Sequence, residues 1–135
     1  MNGVMVTAYH GTNITDIVEF RTDGRESNGA IFFSHDKEYA EEAAYVKKQY
    51  HGGKITLYKA DLLIRYPYVV RLAKGKFADC TVEKKYIEYA KAEGFDGVIF
   101  YNDEEEEPDV FYAVFSPSQI RMREKIIIEK IEKDQ

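Results

Sequence analysis

Apolar residues in this chain recur with two periods, and each change of period marks the boundary of an element. Val4 to Tyr9 is dense in apolar residues and predicts a first strand. It closes on His10-Gly11-Thr12, where glycine permits a turn or a close approach to a ligand. Asn13 to Ile17 has the length of one helical turn, Val18-Glu19-Phe20 that of a brief strand, and Thr22 to Asn28 has a loop composition. Gly29 to Ser34 is a short apolar run bounded by turn residues, which predicts a buried strand. From Asp36 to Tyr50 the period becomes helical, with Tyr39, Ala40, Ala43, Tyr45, Val46 and Tyr50 forming a partial apolar stripe. Ser34 and Asp36 are both candidate N-caps, acidic residues sit early and Lys47 and Lys48 late, and His51-Gly52-Gly53 ends the helix.

Lys54 to Leu63 alternates as a strand, with Ile55, Leu57 and Lys59 on one face and Thr56 and Tyr58 on the other. Tyr66 to Val70 is extended, because Pro67 disfavours helix at Tyr66. Lys74 to Asp79 reads as a loop. Thr81 is placed to cap a second helix running to about Glu93, with Val82, Tyr86, Ile87 and Ala90 on one face and Gly94 as its stop. Phe95 to Tyr101 and Val110 to Phe115 predict two strands joined by an acidic turn, antiparallel if the turn is a hairpin. Ser116-Pro117 breaks the second strand. Ile120 to Ile131 reads either way: Ile126-Ile127-Ile128 favours a strand, while the Glu and Lys content favours a helix. The tail from about residue 129 is expected to fray. Strands before, between and after two helices predict an α+β fold with a mostly antiparallel sheet. No repeat or linker divides residues 1–135, so one domain is expected.

Composition narrows the function classes. Hydrophobic residues make up 44% of the chain and charged residues 32%, a globular balance. The formal net charge of −5 argues against nucleic acid as a main partner, because phosphate binding rests on clustered Lys and Arg. The single cysteine, Cys80, allows no internal disulfide and fits a reducing compartment, hence a cytoplasmic setting. The N-terminus has no basic segment ahead of an apolar run, and no stretch nears the roughly 20 apolar residues of a membrane span. His35 and His51 share no metal-ligand spacing with each other or with Cys80, so no metal site is expected. The glycine-rich fingerprints of dinucleotide folds and P-loops are absent, and so is a nucleophile elbow.

Two places could carry chemistry. His10, Gly11 and Thr12 put an imidazole, exposed backbone and a hydroxyl within three residues, a set able to clamp a carboxamide and a ribose. The run Asp103 to Glu107 reads as a solvated hairpin tip, since like charges repel and prefer water. Asp109 beside it lies two residues before Phe111 and would share its face in a regular strand.

Taken in order, several segments resemble one family. They are Tyr9-His10-Gly11-Thr12, Gly29 to Ser34, a helix with Ala40 and Tyr45, Gly94 to Ile99, and Phe111 to Ile120. Together they span roughly residues 9 to 121 and look like the diphtheria-toxin and poly-ADP-ribose-polymerase branch of ADP-ribosyltransferases. They are also similar to compact versions found in phages and mobile elements. The resemblance implies a split antiparallel sheet gripping NAD⁺ as co-substrate. It implies that His10 hydrogen-bonds the adenosine ribose and that Gly11 meets the nicotinamide amide through its backbone, with Tyr9 and Thr12 alongside. Phe32 would stack on nicotinamide, flanked by Phe33 and Ser34, and Tyr45 would close the other side. Phe111 stands where the family usually carries a glutamate that binds the nicotinamide-side ribose. This departure resembles members that transfer a single ADP-ribose or none. Asp109, or a carboxylate of the target, would then supply the missing charge. The implied activity is mono-ADP-ribosylation of a macromolecular acceptor, a protein before a nucleic acid. The alternative is a catalytically degenerate module that binds NAD⁺, ADP-ribose or a protein.

Overall fold

The computed structural model describes residues 3–17, 20, 29–72, 80–102 and 109–128. The strands are β1 (Val4–Thr12), β2 (Ile31–Ser34), β3 (Ile55–Ile64), β4 (Pro67–Leu72), β5 (Gly97–Asn102), β6 (Asp109–Val114) and β7 (Ile120–Ile128). The two helical segments become α1 (Lys37–His51) and α2 (Cys80–Ala92), and a 3₁₀ turn (Pro117–Gln119) separates β6 from β7. The ambiguous last segment is therefore a strand, because β3 offers it a complete ladder from Leu62↔Ile120 to Ile55↔Ile128.

Several boundaries differ from expectation for local reasons. β1 does not turn at Gly11 but stays extended through Thr12, opposite Thr56 of β3. The helical turn expected at Asn13 to Ile17 does not form. Instead the Thr12 hydroxyl accepts from the Ile14 N–H, and the Tyr58 hydroxyl accepts from Ile17 N–H while donating to the Ile14 carbonyl. Side chains thus take the bonds that a helix would have used. Val18 and Glu19 of the brief strand expected next lie outside the described residues, and Phe20 is a buried core residue rather than a strand member. Asp36 caps α1 by accepting from Glu38 N–H, and the Ser34 hydroxyl braces Asp36 instead. Thr81 lies inside α2, one residue past its first, and is not its cap. Gly94, at φ 90°, ends that helix in the left-handed region as expected. The predicted loop before α2, most of the acidic turn and the tail lie outside the described residues.

The strands form one seven-stranded sheet in the order β4-β5-β6-β2-β1-β3-β7. Every neighbouring pair is antiparallel except β4 with β5. The join between β2 and β1 is slight: the two strands pair at Tyr9↔Ser34, and beyond it the ladder opens between His10–Thr12 and Ile31–Phe33. The sheet is thus split into a β4-β5-β6-β2 half and a β1-β3-β7 half. α1 packs Ala40 and Ala44 on Ile55 and Leu57 of the second half, and α2 packs Ile87 and Ala90 on Val98, Phe100 and Ala113 of the first. The strand register puts both helices on one face, so the other buried face of β3 must be covered by the sheet itself.

The opposite faces of the two halves close on a shared core that includes Ala8, Phe33, Tyr58, Leu62, Ile99 and Val114. They touch where Ile64 of β3 lies on Gly97 of β5, so tightly that a Cβ on Gly97 would fall 2.9 Å from the Ile64 Cγ2. Polar bonds fasten the same contact. The Asp96 carboxylate accepts from Arg65 and Tyr66 N–H, and the Gln119 side chain donates to the carbonyls of Leu63 and Asp96. The core is fastened there, and the strand split is where the surface opens.

Candidate functional site

A small cleft lies at the split. β1 contributes Tyr9, His10 and Gly11, β2 contributes Phe32, Phe33 and Ser34, β6 contributes Phe111, and α1 contributes Tyr39, Ala40, Ala43 and Lys47. Aromatic rings dominate the walls, and Tyr39 meets Phe111 edge to face at a centroid distance of 4.8 Å.

His10 spans the split. Its Nδ1 lies 2.7 Å from the Phe32 carbonyl oxygen, in the gap where the ladder between the strands has opened. A carbonyl can only accept, so Nδ1 carries the proton and Nε2 is left as an acceptor. Nε2 has no hydrogen-bond partner among the described residues. Phe20 and Phe33 hold the ring at centroid distances of 5.0 and 5.5 Å. Burial, reinforced by the Lys47 charge and opposed by the Phe32 carbonyl, lowers the His10 pKa from 6.5 to about 4. At neutral pH the residue is an uncharged imidazole offering one lone pair, suited to receive a hydroxyl proton in a hydrogen bond.

Gly11 is required first by packing. A Cβ there would fall 1.9 Å from the backbone oxygen of Ala40, so α1 can lie on β1 only over a glycine. The small residues Ala40, Ala43 and Ala44 allow the same approach from the helix side. The Gly11 carbonyl accepts from the Lys47 ammonium at 2.9 Å, which brings a cation to the cleft wall.

The sequence profile of a family described as "ADP-Ribosyltransferase in polyvalent proteins" matches residues 1–125. The chain belongs to this family. Its fold is similar to that of a chain in the crystal structure of the M. tuberculosis MbcT–MbcA toxin–antitoxin complex. The TM-score is 0.59 over 93% of this chain and 85% of that one, at 14% sequence identity. No curated protein matches the sequence.

Within this ADP-ribosyltransferase domain the cleft gathers Tyr9, His10, Gly11, Phe32, Phe33, Ser34 and Phe111, seven of the residues read from the sequence. Thr12 and Tyr45 are not among its lining residues. Thr12 is buried, its hydroxyl tied to the turn that follows β1. Tyr45 packs at the border of the Ile55 and Leu57 cluster. Asp109 opens β6 opposite Asn102, two positions before Phe111, which itself pairs with Ser34 and Phe100. The sequence reading missed Tyr39 and Lys47. Lys47 had a visible signal: it follows Ala40 and Ala43 at helical spacing, a cation on the face that packs against the sheet. Among the described residues no group of His, Cys, Asp or Glu is placed to hold a metal ion, and no helix is long and apolar enough to cross a membrane.

Proposed function

We propose that this domain is an NAD⁺-dependent mono-ADP-ribosyltransferase with a protein acceptor, working in the cytoplasm. The observation that carries the reading is His10, neutral, bridging the strand split and lining an aromatic-walled cleft, in a chain of this family. Nε2 accepts from a ribose hydroxyl of the dinucleotide. Phe32, Tyr39 and Phe111 enclose the nicotinamide ring, and the end of β1 at Gly11 meets its 3-substituent. In the reaction the glycosidic bond breaks with its electron pair leaving on nicotinamide, and the acceptor's nucleophile forms the new bond at C1′ as its proton departs.

Positive charge grows on the sugar as that bond breaks, and a carboxylate nearby would stabilise it. The described lining residues include none, and Phe111 fills the position where the family usually has one. Loss of one such contact commonly costs about 10²–10³ in rate. Asp109, at the start of β6, or a carboxylate of the acceptor itself supplies the charge. The fold neighbour is a toxin–antitoxin complex, which supports a protein partner.

Phe111 also favours a second reading, a module that binds NAD⁺ or ADP-ribose without transfer. Incubation of the domain with labelled NAD⁺ and a cell lysate separates the two. Transfer predicts label on a lysate protein or on the domain, lost in His10→Ala. A melting-temperature rise with NAD⁺ and no label establishes the binding module. Neither label nor thermal shift refutes both. Full activity in Asp109→Asn would leave the acceptor's own acid as the stabilising group.

A further inference from the structure

α1 carries more apolar surface than the core uses. Its buried residues, Ala40 and Ala44, face the sheet. Tyr39, Ala43, Val46 and Tyr50 recur at steps of four, three and four, so they form a stripe about a quarter-turn round the helix from the buried side. Tyr39 and Ala43 also line the cleft. The stripe therefore begins at the mouth of the cleft and runs along the helix for about 16 Å. Val46 is 51% exposed and Tyr50 80%, and Tyr39, packed edge to face on Phe111, still leaves 46% of its surface to solvent. A branched Val in an exposed helical position gives up rotamer freedom without the return of burial. Scattered apolar residues on a surface are ordinary, but a continuous row beside a cleft marks a contact surface.

The charge beside the stripe says what kind of partner fits. Glu38 and Glu42 are exposed and, by helical spacing, flank the stripe on the side away from the cleft. Lys37 and Lys48 fall on the far side of α1, and Lys47 lines the cleft. A partner laid along the stripe thus sets its rim against two carboxylates, which favours Lys or Arg there and disfavours Asp or Glu. We infer that this flank of α1 docks the protein acceptor through an amphipathic helix. The acceptor's apolar side chains lie on Tyr39, Val46 and Tyr50, and its basic rim faces Glu38 and Glu42. Docking there holds the adjoining part of the acceptor at the cleft mouth, so recognition of the acceptor is separate from recognition of the dinucleotide. The inference rests on the proposed function, in that it gives that reaction's acceptor a docking surface.

Two synthetic helical peptides test the surface by fluorescence anisotropy. Both carry Leu at the spacing of the stripe, one with Lys along its flank and the other with Glu. The Lys-flanked peptide should bind the wild type about tenfold or more tightly than the Glu-flanked one. Val46→Glu should weaken that binding about tenfold, and Glu38→Lys with Glu42→Lys should reverse the preference. In the labelled-NAD⁺ lysate assay, Val46→Glu and Tyr50→Ser should each cut label on lysate proteins about tenfold while keeping the wild-type thermal shift with NAD⁺. Equal binding of the two peptides, or no binding of the Lys-flanked one, overturns the inference. So does full labelling of lysate proteins by both variants, which leaves the proposed function standing. Loss of the NAD⁺ shift together with the label in both variants would assign the stripe to the cleft and not to the acceptor, and overturns it as well. No label from the wild type removes the proposed transfer and this inference with it.

Discussion

His10 should make this domain acid-sensitive in a pH range where carboxylates are still mostly charged. Its pKa falls from 6.5 to about 4 on folding, because burial and then Lys47 disfavour the imidazolium. The unfolded chain therefore takes up a proton as pH drops through 6.5, while the folded protein does not until about pH 4. Stability attached to this residue is complete above pH 6.5, is lost between 6.5 and about 4, and changes no further below. Each unit of pKa is worth about 1.36 kcal/mol, so the gap amounts to roughly 3 kcal/mol in all. Relative to pH 7.5, most of it, roughly 2–3 kcal/mol, should be gone at pH 4.5. The comparison is His10→Asn, whose amide nitrogen stands as far from Cβ as Nδ1 and can still donate to the Phe32 carbonyl. Urea unfolding of both proteins at several pH values between 7.5 and 4.5 isolates the effect, since all other titrations cancel in the difference. The wild type should lose roughly 2–3 kcal/mol more than the variant. Parallel pH profiles for the two proteins would refute the buried-neutral account of His10. So would an imidazole signal titrating near 6.5 in the folded domain.

Three further substitutions test the fold around the site. Gly11→Ala sets a methyl 1.9 Å from the Ala40 backbone oxygen, which forces α1 off β1 and should cost about 1–3 kcal/mol in denaturant unfolding. Unchanged stability would mean that the helix does not need that approach. Tyr58→Phe removes a buried hydroxyl that serves both Ile14 and Ile17, and should cost about 1–3 kcal/mol while exposing residues 14–17 to faster amide exchange. Gln119→Ala cuts two bonds from the Phe115 and Ser116 N–H groups and two to the Leu63 and Asp96 carbonyls. Thermal unfolding should show a loss of more than about 2 kcal/mol, and a near-neutral result would discount the polar fastening of the two half-sheets.

Much of this architecture was legible in the sequence because local and tertiary demands agree there. α1 carries its cap, its dipole-matched charges and its glycine stop in one segment, and the structure ends it within a residue of expectation. β5 and β6 are short apolar runs on either side of an acidic turn, and they pair antiparallel from Gly97↔Val114 to Asn102↔Asp109. Where the reading failed, a distant partner decided the outcome. Residues 13–17 hold no signal of Tyr58, 41 positions beyond Ile17, whose hydroxyl organises them. Ile120–Ile128 became a strand because β3 was there to pair with it. Of the strand residues read for the site, Tyr9 to Gly11, Phe32 to Ser34 and Phe111 line the cleft and were legible through their order along the chain, while Thr12 and Asp109 are not among the lining residues. On α1 it is Tyr39 and not Tyr45 that lines the cleft, because spacing along a helix does not say which aromatic faces the strand split.

Gly11 shows why the cleft and the fold have one origin. The split between β1 and β2 leaves strand edges unpaired, a condition that normally invites another chain. Here His10 closes part of the gap with its own side chain, and α1 lies directly on Gly11 beside it. That approach brings Lys47 to the Gly11 carbonyl, where its charge helps keep His10 unprotonated. A larger residue at Gly11 would lift the helix, weaken the Lys47 bond and let the His10 pKa rise toward 6.5. The glycine that reads as a ligand contact in sequence is therefore also the hinge on which the electrostatics of the cleft depend. Gly11→Ala should accordingly shift the acid limb of the stability profile as well as lower its plateau. A lowered plateau with an unshifted limb would show that packing at Gly11 and the charge state of His10 are independent.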